Sequence, residues 1–136
     1  MLQKEKKWPL EGIKVLDLGQ IYNGPYAGFL MAHAGADVIK LEPLHGEVLR
    51  QRGGGVVPLS FAMLNTNKRG IAINLKDQIG KNILVDLIKK ADVLLENFAP
   101  NAMERLGLGS DVLTKINPRL IYASGTGYGL SGPDKN

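Results

Sequence analysis

Residues 16–43 read LDLGQIYNGPYAGFLMAHAGADVIKLEP, and their pattern decides the fold. The apolar residues Ile13, Val15, Leu16 and Leu18 run like a buried strand into Gly19. After a loop carrying Gly24-Pro25, the spacing predicts a helix over residues 26–34, and Val38-Ile39-Lys40-Leu41 forms a second strand-like run. Strand, helix and strand in about 30 residues make one βαβ unit, whose crossover is almost always right-handed. Pro25 suits a first helical turn, where its missing N–H is no loss. Gly35 suits the left-handed position past the helix end. Ala27, Leu30, Met31 and Ala34 are expected to form the face that lies on the sheet. Ligands of such folds bind outside the carboxyl ends of the strands, so residues 20–25 and Glu42-Pro43 are the first candidates.

Outward from this unit the alternation continues. A leader over residues 1–9 precedes it, and residues 44–58, with Gly46 and Gly53-Gly54-Gly55, read as a loop. A short helical turn at 60–64, a polar turn at 65–70 and a strand at 71–74 follow. Asp77 is a helix cap, and Ile79, Ile83, Leu84, Leu87 and Ile88 share one face of the next helix. Residues 93–95 form a strand, 102–106 and 111–116 short helices, and 120–124 the last strand. The fold class is α/β, an open, mostly parallel Rossmann-like sheet with helices on both faces. Residues 10–133 make one domain, with 134–136 as a tail.

Composition narrows the function. The 136 residues carry a net charge of +4, with 44% apolar and 22% charged residues, values of an ordinary globular protein. The basic residues are dispersed and aromatics few, which argues against nucleic acid as a partner. No apolar run reaches the length of a membrane span. There is no cysteine, so disulfides and thiolate sites are excluded, and cytoplasm is the default location. His33 and His45 are the only histidines, and no metal site is expected.

Gly127-Tyr128-Gly129-Leu130-Ser131-Gly132 fits G-x-G-x-x-G. That pattern cradles a pyrophosphate only where a helix follows, and here only Pro133, Asp134, Lys135 and Asn136 follow. A nicotinamide- or flavin-binding domain is therefore a minor alternative.

The segments LEGIKVLDLGQIYNGPYAG, GADVIKLEP, NTNKRGIAINLK, KKADVLLENFAPNAMERLGLG and NPRLIYASGTGYGLSGP stand in fixed order over most of residues 10–133. As a set they resemble the class III coenzyme A transferase family, which includes formyl-CoA and carnitine-CoA transferases and α-methylacyl-CoA racemases. The resemblance implies a coenzyme A (CoA) or acyl-CoA partner held as substrate. It places Ile21, Tyr22 and Asn23 against the coenzyme, with Pro43 where the adenine side begins. It makes Ile73, Asn74, Leu75 and Lys76 a second contact segment and Asn97, Phe98 and Ala99 a third, with Arg105 near the phosphates. CoA needs an apolar slot together with positive charge and backbone donors, and these residue types can supply both. Read alone, Lys68, Arg69 and Lys76 are equally well solvated surface cations, and Phe98 is equally well core packing. Asp17 reads as a loop-stabilising acceptor, Glu42 as a ribose ligand or a solvated acid, and His33 as a packing residue.

Transferases of this family use an aspartate nucleophile that carries the acyl group as a mixed anhydride; the racemases use a histidine and an acid. Both sets follow the Gly-Pro of the glycine loop by a short stretch, and Asp134 comes too soon after Gly132-Pro133 to match. No catalytic residue is expected in this chain, so it reads as a coenzyme-binding region without turnover of its own. A non-catalytic module that associates with itself or a partner remains the alternative. The family's interlocked dimers imply a homo-oligomer.

Overall fold

The computed structural model describes residues 7–134, so residues 1–6 of the expected leader and 135–136 of the tail lie outside the description. Five strands alternate with helices: β1 Lys14–Asp17, α1 Asn23–His33, β2 Asp37–Glu42, α2 Val48–Gln51, α3 Leu59–Leu64, β3 Arg69–Ala72, α4 Gln78–Ile88, β4 Val93–Glu96, α5 Ala102–Arg105, α6 Ser110–Ile116 and β5 Ile121–Ser124. The sheet order is β3-β2-β1-β4-β5 and every pairing is parallel, so the expected mostly parallel sheet is wholly parallel. Strand order reverses between β1 and β4. A doubly wound sheet opens a crevice at that switch point, outside the carboxyl ends of the strands.

Both faces are covered, as parallel sheets require. Period-two alternation along β1 and β4 divides the core. Leu16 and Leu94 turn to the face covered by α4, α5 and α6, with Leu84, Ile88, Met103 and Leu113. Val15, Val93 and Leu95 turn to the other face, with Ala32 and Val38. A third cluster, Leu49, Phe61 and Leu64, joins α2 to α3.

Several boundaries moved for identifiable reasons. Helix α1 starts at Asn23, so Gly24-Pro25 lies inside its first turn rather than before it. Its buried stripe is Gly24, Pro25, Gly28 and Ala32, while Leu30 is half exposed; the closest approach to the sheet selects glycine over the larger residues. In α4 the buried stripe is Gly80, Leu84 and Ile88, and Ile79 and Ile83 face outward. The loop at 44–58 contains α2, capped by Glu47, whose side chain accepts from the Leu49 N–H at 3.0 Å. Strand β3 ends at Ala72, which puts Ile73 and Asn74 at the carboxyl edge of the sheet. Gly35 has φ +95°, as the helix end requires. Asp77 caps α4 through the Ile79 N–H at 2.8 Å.

A Cβ on Gly80 would overlap the carbonyl oxygen of Asn74, the residue that precedes the α4 cap by three. Gly80→Ala is therefore expected to push α4 off its own entry loop and cost about 1–3 kcal/mol, the usual range for overpacking. Urea denaturation of the two chains measures it.

Candidate functional site

At the switch point the chain leaves β1 through Gly19, Gln20 and Ile21, and each of these backbone units is held by a side chain from elsewhere. The Lys40 ammonium, from β2, donates to the Gly19 carbonyl. Asn97, just past β4, accepts from the Gln20 N–H at 2.6 Å and donates to the Gln20 carbonyl at 2.9 Å. This reciprocal pair continues the β1–β4 ladder through a side-chain amide. Glu47 Oε1 accepts from the Ile21 N–H at 2.8 Å. The turn is tight enough that a Cβ on Gly19 would lie 2.6 Å from the Gly24 Cα, and one on Gly24 would lie 2.5 Å from the Gly19 Cα.

Behind the turn sits a buried ionic cluster. Asp17 is fully buried; its Oδ1 accepts from the Gly19 N–H at 2.8 Å and its Oδ2 from Lys68 Nζ at 2.7 Å. Lys68 also donates to the Pro25 carbonyl at 2.8 Å and to Asn65 Oδ1 at 3.2 Å, so its three donors have three acceptors. Lys68 is thus no surface cation: its side chain is 1% exposed. Burial pulls the Lys68 and Lys40 ammonium groups below the ordinary lysine range, against the pull of Asp17. Glu42 is not a free solvated acid. It takes a bidentate pair from Arg50 at 2.6 and 2.8 Å and accepts from the Glu47 N–H at 3.0 Å. Burial raises its pKa, but these donors outweigh it and leave the carboxyl below its ordinary value. Arg50 in turn stacks over the Phe61 ring at 4.0 Å.

In front of the turn lie two cavities that share Phe98 as a wall. The first, about 410 Å³, is lined by Leu18, Leu41, Leu75 and Leu106, by Gln20, Glu42, His45 and Glu47, and by Pro43, Ile73, Asn74 and Lys76. The second, about 460 Å³, is more polar. Glu96, Glu104, Tyr122, Ser124 and Thr126 lie in its wall together with Ala99. Burial and the two carboxylates raise the Tyr122 pKa above the ordinary tyrosine range, so its hydroxyl stays protonated.

The structure therefore brings six of the sequence candidates, Pro43, Ile73, Asn74, Leu75, Lys76 and Phe98, around one cavity from three separate loops. Ile21, Tyr22 and Asn23 lie beside it, at the start of α1, and do not line it. Asn97 spends its amide on Gln20. Ala99 belongs to the second cavity. Arg105 is exposed, donates to the Pro100 carbonyl at 3.2 Å, and lines neither cavity. His33 packs on the Phe29 ring at 4.2 Å. Sequence reasoning missed Glu47 and Lys40. The only signal for Glu47 was its place as an acid before an apolar pair, and Lys40 read as an ordinary strand residue. Among the described residues no group of three or more His, Asp or Glu could hold a metal ion, and no helix is long and apolar enough to cross a membrane.

The all-parallel doubly wound sheet is matched by known proteins. The sequence profile of CoA-transferase family III matches residues 10–136, and the chain belongs to that family. A formyl-CoA:oxalate CoA-transferase from Streptomyces coelicolor is 48% identical over 127 residues, 91% of this chain and 31% of the relative. An acetyl-CoA:oxalate CoA-transferase from Acetobacter aceti is 45% identical over 130 residues, 93% of this chain and 33% of the relative. Among solved structures, a CAIB/BAIF family protein from Brucella suis superposes with a TM-score of 0.89 at 36% identity, covering 94% of this chain and 36% of that one. The chain spans about a third of the length of the curated relatives it matches and corresponds to the N-terminal region of class III CoA-transferases. The family acts on CoA or acyl-CoA.

Two outcomes follow for the ionic cluster. Lys68→Met leaves Asp17 charged, buried and short of its partner, and is expected to cost about 3–5 kcal/mol, measurable as a fall in the urea midpoint. The Glu42 carboxyl titrates below its unfolded value, so the stability it contributes is complete above the unfolded carboxylate pKa and is lost as pH falls through the folded one. The stability difference between the parent and Glu42→Gln is therefore expected to be constant near neutrality and to shrink in acid, as read by denaturation from pH 7 to 3.

Proposed function

We propose that this chain is the coenzyme-binding region of a class III CoA transferase and that the cavity of about 410 Å³ receives the nucleotide end of CoA or acyl-CoA. The observation that carries the reading is the convergence of Pro43, Ile73, Asn74, Leu75, Lys76 and Phe98 on one cavity beside the switch point. Leu41, Leu75, Leu106 and Phe98 offer an apolar slot for adenine. Asn74 offers polar contacts at its edge, and the Lys76 ammonium offers charge for phosphate. From there the pantetheine arm runs toward the mouth at Gln20 and Tyr22, past Asn97 and Phe98. Arg105, exposed on α5, is assigned to the outer phosphates.

In the transfer reaction a carboxylate attacks the thioester carbonyl and expels the CoA thiolate to give a mixed anhydride. The thiolate then attacks the enzyme-side carbonyl, which releases the first carboxylic acid and leaves an enzyme thioester. An acceptor carboxylate takes the CoA from it by the same two steps in reverse. The residues described here bind and orient the coenzyme for that chemistry. Asp134 is exposed in a turn and makes no side-chain hydrogen bond or ion pair among the described residues, so it is not assigned the nucleophile. The racemase branch is the second reading for the whole protein. The reaction is placed in the cytoplasm, in keeping with a cysteine-free chain and a CoA substrate. Homo-oligomerisation is assigned on the outer face of α1, where Tyr26 and Leu30 are about half exposed.

Titration calorimetry tests the site. CoA is expected to bind and to raise the melting temperature, with dephospho-CoA weaker. Lys76→Ala is expected to weaken CoA by roughly tenfold or more, since a hydrogen bond to a charged group is worth about 1.5–3 kcal/mol. Equal heats for CoA and NAD would overturn the assignment.

A further inference from the structure

We infer that Glu47 is a positioning residue of the coenzyme site: its carboxylate holds the left-handed turn at Ile21 and so fixes the mouth through which the pantetheine arm passes. The inference rests on the coenzyme reading above. Ile21 has φ +63°, in a region where a β-branched residue is a true outlier. Such a conformation persists only where the surroundings over-determine it, and outliers of this kind cluster at ligand clamps. Here Gln20, one residue before, is tied on both sides to Asn97, and helix α1 begins two residues after. Ile21 is thus the point at which the chain turns from the sheet edge into the helix. The contact that holds it there is the 2.8 Å bond from its N–H to Glu47 Oε1.

Glu47 is an unusual choice for the second task it performs. Caps are commonly Ser, Thr, Asp or Asn, whose short side chains reach the N–H two residues on. What the longer glutamate adds is reach across to Ile21 while it caps Leu49. The arrangement leaves a carboxylate 1% exposed, with Oε2 unpartnered among the described residues. Capping a four-residue helix does not call for a desolvated charge of this kind. Glu47 also lies in the cavity wall, and its own N–H is bonded to Glu42 at 3.0 Å. The mouth is therefore coupled to the same β2–α2 segment that forms one side of the nucleotide slot.

The test compares Glu47→Ala, Glu47→Gln, Ile21→Gly and the double variant Glu47→Ala/Ile21→Gly, each titrated with CoA and with adenosine 3′,5′-bisphosphate, which has no pantetheine arm. Glu47→Ala is expected to weaken CoA about tenfold, in line with the loss of a charge-assisted bond, and to weaken the bisphosphate, whose slot Glu47 also borders, by no more than about threefold. Glu47→Gln keeps an oxygen for Ile21 and is expected to stay within about threefold for both ligands. Glycine adopts a positive φ freely, so in the Ile21→Gly background the cost of Glu47→Ala is expected to fall to about twofold. Equal losses for both ligands, or no loss for CoA in a folded Glu47→Ala chain, overturn the inference and leave Glu47 a plain cap. If Glu47→Ala does not fold, Glu47→Gln decides through amide hydrogen exchange. An Ile21 amide that stays protected with binding intact supports the contact, and CoA lost from a chain whose Ile21 amide is still protected overturns it. A parent chain that binds neither ligand overturns the coenzyme reading and this inference together.

Discussion

Everything at the working end of this domain depends on the carboxylate of Asp17. It stands at the last position of the central strand, fully buried, with one oxygen on the Gly19 amide and the other on Lys68. The first bond starts the turn at the switch point. The second ties that turn to the connection between α3 and β3, 51 residues away in sequence. Lys68 then reaches the Pro25 carbonyl, so a single ammonium also anchors the first turn of α1. Such an arrangement adds little net stability over an apolar core of the same shape, because burial of both charges offsets their attraction. Its effect is on geometry: with all three Lys68 donors matched, only one placement of the loop satisfies the cluster.

The surrounding charges follow the same logic. Lys40 on β2, Glu42 at its end, Glu47 at the helix cap and Arg50 one turn on set two acids between two cations; Lys40, Glu42 and Glu47 bond to backbone carbonyls and amides, and Arg50 to the Glu42 carboxylate. Three cations, Lys40, Arg50 and Lys68, stand with three anions, Asp17, Glu42 and Glu47, around the turn. An anionic ligand in the first cavity meets Lys76 as well as the two carboxylates in its wall, Glu42 and Glu47.

The βαβ unit was legible because strand and helix signals there come at full strength: apolar runs, a proline in the first turn and a glycine at φ +95°. The doubly wound class followed from alternation alone. Helix faces were less legible. Apolar periodicity marked Leu30, Ile79 and Ile83 as inward, yet each is turned out, because Gly28 packs against Asp17 of β1 and Gly80 against the entry loop of α4, and periodicity scales give glycine no weight there. Helix α2 was hidden by its glycine-rich flanks and rests on a glutamate cap outside the usual set. Around the first cavity, residues 73–76 and Phe98 were pointed to by resemblance, and Asp17 by its position beside a loop, while Asn97 turned to Gln20. Lys68 could not. Nothing in NTNKRG says which cation folds inward, since that depends on an acid at the far end of another strand.

Gly19 and Gly24 touch each other's Cα positions, and this has a consequence for how the sequence can change. An atom added to either residue collides with the backbone of the other, so neither can be relieved by altering its partner. Two additions would worsen one overlap rather than offset each other. Gly28, one helical turn beyond, is closed as well, since a methyl there would lie 2.7 Å from the Asp17 carboxylate and 3.1 Å from the Lys68 ammonium. Gly127, by contrast, has open space around it and can drift. No single substitution at Gly19, Gly24 or Gly28 escapes a collision, so these three positions are held together, while Gly127 is free to vary.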